Sequence, residues 1–530
     1  MRRVFLIFVA LFTVYSVISF LFFPPGLWVS ALLLPVVALG IYDITQRQHA
    51  ILRTFPVVGH GRYLLERIRP EINQYFVESD VDGRPFHREH RSIVYKRAKR
   101  QVQTVPFGTK HDVYRPGYEW VNHSLVPSSV DPSSLRITIG GPHCRQPYSA
   151  SIFNISAMSF GALSSAAIEA LNGGASRGGF AHNTGEGGVS PYHLAGRGDL
   201  IWQIGTGYFG CRTEQGAFCP TRFERTAQLD AVKMIEVKLS QGAKPGHGGV
   251  LPGSKVTSEL AEIRGVPAGQ TVISPPAHAS FSTPVGLLEY VAQLRDLCGG
   301  KPVGFKLCVG KRREFFAITK AMIKTSIVPD FITIDGAEGG TGAAPLEFCN
   351  AIGTPLLEGL SFVHNALVGA GLRDQVKLLC SGRIITGFHL VKRIALGADA
   401  CYSARGMMFA LGCIQALRCN ENSCPAGVAT QRGELVVGLH VPTKVDRVFG
   451  YHEQTLHAVA EFLGAMGLTR TDELRPWHVH RRISAHETRH YGELYDYVQP
   501  GAFVNAPVPA PYARAWHAAS ADTFAAQPSD

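Results

Sequence analysis

No pyridine-nucleotide domain opened by a strand–GxGxxG–helix unit and no four-cysteine ferredoxin signature is read in the 530 residues, so neither nucleotide-linked nor ferredoxin-type redox chemistry is expected within the chain. Low-complexity tracts and short repeats are missing too, which sets aside fibrous and solenoid architectures. Charge is sparse at 18% against 45% apolar residues, globular values displaced slightly towards the membrane side. The net charge of +11 is not matched by any nucleic-acid motif, and the basic residues gather beside an apolar N-terminus, so no nucleic-acid partner is expected.

Residues 4–23 carry no charge at all, about the length a helix needs to cross roughly 30 Å of hydrocarbon. Pro24, Pro25 and Gly26 break the run, and residues 27–42 form a second, shorter one. A cleaved signal peptide fits less well, because its apolar core would be too long and no small-x-small cleavage site follows. The reading is a transmembrane helical hairpin over residues 1–45. Arg2 and Arg3 precede it and Arg47, Arg53, Arg62, Arg67 and Arg69 follow, which places both ends, and the rest of the chain, on the cytoplasmic side of the membrane. Residues 46–140 form a basic juxtamembrane and pre-barrel segment. Twelve Lys or Arg stand against six Asp or Glu between Arg47 and Arg100, a solvated surface or a face for anionic headgroups.

After Gly140 and Gly141 short β-type runs alternate with helix-length segments. Candidate strands are 152–158, 179–183, 233–239, 271–274, 303–308, 331–335, 377–380 and 400–403, with helices such as 284–298, 313–326 and 388–396 between them. Eight strand–helix repeats predict an α/β fold, a (β/α)8 TIM barrel over residues 141–435, better than an open doubly wound sheet. Residues 192–228 read as a long insertion after the second strand. Residues 436–530 read as a helical extension, including 445–466, and a tail rich in Ala and Pro from Pro500 that is expected to be partly disordered.

A fourth ligand is what the densest cysteine cluster lacks. Cys413, Cys419 and Cys424 follow a C-x5-C-x4-C spacing, and the next His is His440, so zinc is poorly served. The polar loop Asn420, Glu421, Asn422, Ser423 argues against simple thiol packing, and nothing suggests an oxidising compartment for disulfides. Three thiolates suit a [3Fe-4S] centre, although standard cluster signatures carry four cysteines; on spacing alone the type of metal stays open.

Barrel enzymes carry their chemistry at C-terminal strand ends, and polar or glycine-rich motifs sit there. Ser156–Ser164 (SAMSFGALS) is a small-residue turn on which a flat ring could lie. HNTGEGG places Glu186 between glycines, Lys238, Gln241, Lys244 and His247 crowd the next motif, and Lys306 and Asp335 end two later strands. Ser381–Gly387 (SGRIITG), with Arg405 and Gly406 after the last strand, reads as a phosphate turn.

SAMSFGALS, NTGEGG, QGAKPGHGG with LPG, SPP, DGAEGGTGAAP and the cysteine trio followed by GVATQ together resemble the FMN-binding synthase domain of the glutamate synthase family, in order from about residue 100 to 435. The resemblance implies a barrel holding FMN beside a [3Fe-4S] cluster and reducing 2-iminoglutarate, from 2-oxoglutarate and ammonia, to glutamate. It implies FMN contacts at Ser156, Ala157, Met158, Lys306, Ser381, Gly382, Arg383, Gly387, Arg405 and Gly406, and cluster ligands at Cys413, Cys419 and Cys424. Catalytic candidates on the substrate side are Ser159, Glu186, Lys244 and Arg264. Three departures follow. The family's QGAKPGEGGQLPG carries His247 and Val250 here, which weakens the case for 2-oxoglutarate against another oxoacid, an amino acid or a quinone-linked substrate. No amidotransferase domain with an N-terminal cysteine nucleophile is read ahead of the barrel, so ammonia is expected free, from a partner, or not at all. Electrons are expected from an external donor such as a ferredoxin or an NAD(P)H-dependent reductase subunit; a membrane-attached electron carrier is the alternative of another class.

Overall fold

Eight parallel strands pair in chain order and close on themselves: β1 (Phe153–Ile155), β2 (His182–Asn183), β3 (Leu200–Ile204), β4 (Val232–Lys238), β5 (Val303–Leu307), β6 (Phe331–Asp335), β7 (Lys377–Ser381) and β8 (Ala400–Ser403), with β8 against β1. This is the expected (β/α)8 barrel. Every residue of β3, β5 and β6 is buried, as befits parallel strands covered on both faces. Gly304 in β5 permits a close approach, since a Cβ there would lie 2.2 Å from the Phe331 carbonyl oxygen.

The computed structural model describes residues 1–101, 103–505 and 507–527. Its two units are Met1–Arg88 and Glu89–Asp530, a division that falls inside the 46–140 segment.

Two strand assignments are corrected. Residues 271–274 are not a barrel strand; Val272–Ile273 pairs antiparallel with Val250–Leu251 in a separate two-stranded sheet. The third barrel strand is Leu200–Ile204, inside the stretch read as an insertion, which also holds the helix Pro220–Ala227. Leu-Ile-Trp-Gln-Ile has the right composition, but Gly196 and Gly198 ahead of it and the long polar run behind it make it look like loop.

The barrel interior is graded from bottom to top. Ala181, Ile201, Met234, Phe331, Leu379, Ala400 and Tyr402 fill the N-terminal end, where the hairpin Arg136–Ile139 and Tyr148–Ser151 plugs the opening with Ile139, Tyr148 and Ala150. Above them the layer is polar. Glu236 accepts from Asn183 Nδ2 (2.8 Å), Gln203 Nε2 (2.6 Å) and Thr333 Oγ1 (2.7 Å), so its buried carboxylate is satisfied by donors from three other strands.

Helices are started by their own side chains. Ser164 Oγ accepts from Ala167 N (3.2 Å) at the head of Ser165–Gly178, which ends on Gly179 at φ 61°, and Thr283 caps Pro284–Leu297. The long helix Val441–Ala465 packs on Ser165–Gly178, where Cβ atoms at Gly173 and Gly174 would strike Val445 and Val448. A three-stranded antiparallel sheet joins Glu119–Val121 to Val479–Arg482 and Thr488–His490. The tail is more ordered than its composition suggests: helix Ala510–His517 buries Tyr512 and Trp516, and the Trp516 ring lies 5.3 Å from Phe316. Four aromatic anchors, Phe316, Phe503, Tyr512 and Trp516, outweigh the Ala and Pro content there.

In the N-terminal unit, Arg2–Phe22 and Leu27–Thr45 are helices of membrane-crossing length and hydropathy, joined by the turn Pro24–Gly26. Gly40 admits the Phe5 ring, and Ser16 Oγ donates to Ser30 Oγ (2.9 Å) between the two helices.

Candidate functional site

The C-terminal strand ends bring most of the predicted residues together. Turns after β1, β7 and β8 meet at Ser156, whose N–H donates to the Ser403 carbonyl (3.1 Å) and whose hydroxyl lies 3.4 Å from that of Ser381. Met158 N reaches the Asn183 carbonyl, and Ala157 is half-buried. Gly382 leaves room for Glu338, Arg383 takes a left-handed φ of 49°, and Thr386 Oγ1 accepts from His389 N at the head of the helix Gly387–Ala395. Arg405 Nη2 donates to the Glu338 carbonyl (2.7 Å), and Gly406 lies where a Cβ would strike the Ser403 and Tyr451 hydroxyls. Burial, then the neighbouring Arg383, lowers the Arg405 pKa to about 10. Two guanidinium groups that repel each other beside a turn and a helix N-terminus form a setting that an anion relieves, so these residues fit a phosphate group.

At the centre, Lys306 Nζ lies 3.2 Å from Asp335 Oδ2, and both side chains are buried. Burial works against the Lys306 charge, but Asp335, Glu236 and Glu186 outweigh it and raise its pKa. Asp335 also accepts from Gly242 N (3.0 Å), which fixes the loop after β4 to the end of β6.

The rim on the other side is built around Glu186. Its walls are thin: Cβ atoms at Gly205 and Gly249 would lie 2.5 and 2.8 Å from its carboxylate oxygens. Lys238 Nζ donates to Glu186 Oε1 (2.6 Å). Burial raises the Glu186 pKa, yet Lys238, Lys244 and Arg264 together bring it below the ordinary value. Arg264 donates to the Phe160 carbonyl (2.9 Å), reaches Ser159 Oγ at 3.4 Å and stacks 5.0 Å above Phe209; burial, its largest influence, lowers its pKa to about 10. Lys244 is buried and donates to the Ala343 carbonyl (3.0 Å) in the loop after β6. His247 is exposed, and Val250 is half-buried in the small sheet beside Gly249.

Sequence reasoning passed over Gln203, Glu236 and His278. Gln203 and Glu236 are polar residues at alternate positions of buried strands, a signal available once β3 is recognised. His278 stands between the Lys238 carbonyl (2.9 Å) and the Tyr208 hydroxyl (3.2 Å), and burial lowers its pKa to about 4, so it is neutral. The string Gly205-Thr206-Gly207-Tyr208-Phe209-Gly210 spells GxGxxG but is the turn after β3, and no helix begins before Pro220.

The cysteine loop follows the helix Arg405–Leu411 and is fastened at both ends. Tyr95 donates to the Cys413 carbonyl (2.6 Å), and Asn422 Oδ1 accepts from Gln431 N (2.7 Å) and Thr430 Oγ1 (3.1 Å). Ser164 Oγ donates to the Gly427 carbonyl (2.7 Å), while Gln431 Nε2 donates to the Leu163 carbonyl (2.8 Å), so the loop is bonded to the turn after β1. All eleven cysteines are free thiols. Burial pushes Cys413 up to about 12, with Cys419 and Cys424 adding to the rise, and burial raises Cys419, with Cys424 adding to it. Buried Lys255 lies beside Cys419 and Cys424 and donates to the Ala429 carbonyl (3.0 Å). Among the described residues no three His, Cys, Asp or Glu side chains converge on a metal position. The trio offers thiol donors on one loop, but its side chains do not converge on a metal position.

Residues 137–469 match the family described as the conserved region in glutamate synthase. The glutamate synthase large subunit-like protein YerD of Bacillus subtilis is 37% identical over 480 residues, 83% of this chain and 91% of the relative. The chain belongs to the glutamate synthase family. The archaeal glutamate synthase [NADPH] of Methanocaldococcus jannaschii is 36% identical over 322 residues, 61% of this chain and 60% of that protein. Among solved structures, mandelate oxidase with (S)-2-phenylpropionate is 15% identical with a TM-score of 0.41, covering 77% of this chain and 99% of that one. Within the glutamate synthase match, 137–469, lie the barrel, the thiol loop and the helix Val441–Ala465.

Proposed function

We propose that this family member is a membrane-anchored FMN and iron–sulfur oxidoreductase that reduces an imino acid, 2-iminoglutarate from 2-oxoglutarate and ammonia, to the amino acid. The observation that carries the reading is the charge balance at the rim. Lys238, Lys244 and Arg264 surround one carboxylate, Glu186, and an anionic substrate supplies the charge this recess lacks. FMN would be held by Ser156, Ala157, Met158, Lys306, the turn Ser381, Gly382, Arg383 and Gly387, and Arg405 with Gly406; Cys413, Cys419 and Cys424 would hold a [3Fe-4S] cluster. When bound, FMN supplies two-electron reduction and the cluster one-electron transfer from an external donor, a ferredoxin or an NAD(P)H-dependent reductase subunit.

The chain's own residues do the rest. Arg264, stiffened by Phe209 and the Phe160 carbonyl, orients a substrate carboxylate, and Lys244 adds a second cation near Glu186. Glu186 keeps Lys238 in place, and Lys306, kept charged by Asp335, offers a cation to developing negative charge. The helices Arg2–Phe22 and Leu27–Thr45 anchor the chain with both ends cytoplasmic.

Val250 favours a second reading, in which the same machinery serves an oxoacid without the distal polar group that a Gln would bind. Anaerobic reoxidation of the reduced protein, followed by flavin absorbance, separates them. Reoxidation by 2-oxoglutarate with ammonia is expected; reoxidation only by other oxoacids transfers the assignment to the second reading, and a preparation without flavin or iron removes both.

A further inference from the structure

The N-terminal unit contains an element that the barrel chemistry leaves unused. After the second membrane-length helix the chain turns and forms Gly59–Ile72, followed directly by the turn Asn73–Val77. At 100° per residue, Leu64, Leu65, Ile68 and Ile72 share an arc of roughly 100°, and Tyr75 and Phe76 follow from the next turn. All six are exposed, Leu65 at 60% and Phe76 at 85%. Arg62 and Arg69 border the stripe on one side, Glu71 and beyond it Arg67 lie at its other edge, and Arg62 is paired to Glu66 (2.9 Å).

The start of this helix is tied to the end of the membrane-length helix. Asp43, in the last turn of Leu27–Thr45, has a fully buried side chain. Its carboxylate accepts from Val57 N (2.8 Å) and contacts His60 Nε2 at 2.9 and 3.1 Å. A residue at the end of a span lies at headgroup depth, so His60 and the helix it begins are held at that depth as well.

We infer that Gly59–Ile72 and the turn to Val77 lie in the plane of the membrane surface, apolar stripe against the acyl boundary and Arg62, Arg67 and Arg69 on anionic headgroups. The inference rests on the hairpin spanning the bilayer. Continuity with the hairpin selects lipid as the occupant, and a stripe of exposed aliphatic and aromatic side chains flanked by arginines is the pattern of an interfacial helix.

The test uses the full chain in nanodiscs of phosphatidylcholine with phosphatidylglycerol, digested with trypsin and read by mass spectrometry at Arg62 and Arg67. Cleavage there is expected to be at least about tenfold slower in the wild type than in Leu65→Glu or Phe76→Glu, because each variant removes a buried apolar anchor. Unchanged cleavage within the barrel shows that the variants fold. Equally fast cleavage in wild type and variants places the stripe in water, and equally slow cleavage in all three means protein covers it; either overturns the inference. Equal protection in pure phosphatidylcholine overturns the role given to the arginines. The hairpin is checked separately: release of the chain from bacterial membranes by an alkaline carbonate wash defeats the spanning reading itself.

Discussion

Glu119→Gln removes the carboxylate that joins the terminal sheet to the barrel. Glu119 receives the Lys392 ammonium, Arg481 Nη2 (2.6 Å) and the Tyr491 hydroxyl (2.6 Å), with only 11% of its side chain exposed. Burial alone would raise its pKa, but Lys392 by charge and hydrogen bond, then Tyr491 and Arg481, lower it from 4.5 to about 2. Lys392 is pulled to about 8, because burial and Arg393 outweigh Glu119; both values leave the pair ionised at neutral pH. A carboxylate whose folded pKa is depressed contributes stability that is present above its unfolded value and lost as pH falls towards its folded one. A gap of 2.5 between the two values corresponds to about 3 kcal/mol at 1.36 kcal/mol per unit, acting over the window from about pH 4.5 down to about 2. The Gln variant lacks this term and leaves Lys392 and Arg481 without their counter-charge. At pH 7, amide exchange in Val479–Arg482 should then accelerate about a hundredfold. Acid-induced opening of that sheet should lose its dependence on pH across the same window. Identical exchange in wild type and variant, at pH 7 and in acid, would refute the reasoning.

Other substitutions test the site. Arg264→Lys keeps the charge but loses the stacking on Phe209 and the fixed donor fork, so KM for the oxoacid should rise about tenfold with kcat little changed; steady-state kinetics with an artificial donor reads this, and an unaltered KM would remove Arg264 from the substrate side. Cys419→Ser should lower bound iron, measured by chemical iron assay and EPR, while flavin content stays the same; full iron content counts against the trio as ligands. Val250→Gln should accelerate anaerobic flavin reoxidation by 2-oxoglutarate with ammonia, and no change in rate would mean that this position does not select the substrate.

How much could be read from the chain depended on how local each signal was. Parallel strands buried on both faces appear as short apolar runs, and Phe331–Asp335 or Ala400–Ser403 stand out because glycine-rich turns follow them. Leu200–Ile204 has the same composition but is surrounded by glycines and polar residues, and only its pairing with β2 and β4 distinguishes it from loop. The 271–274 run failed in the opposite way, since two of its residues do form a strand but with Val250–Leu251 and not with the barrel. At the site, clusters close in sequence were visible at once, for instance Ser381 to Gly387. The Glu186–Lys238 pair joins the loop after β2 to the end of β4, and the Arg264–Ser159 contact crosses from a helix to a distant turn, so both required the fold.

The bonds from Ser164 and Gln431 have a mechanical meaning. They fasten the thiol loop to the turn after β1, and that same turn carries Ser159 and the Phe160 carbonyl that grips Arg264. The thiol loop and the arginine are therefore held by one continuous piece of backbone, residues 159–164, so a single short turn is the common footing of both.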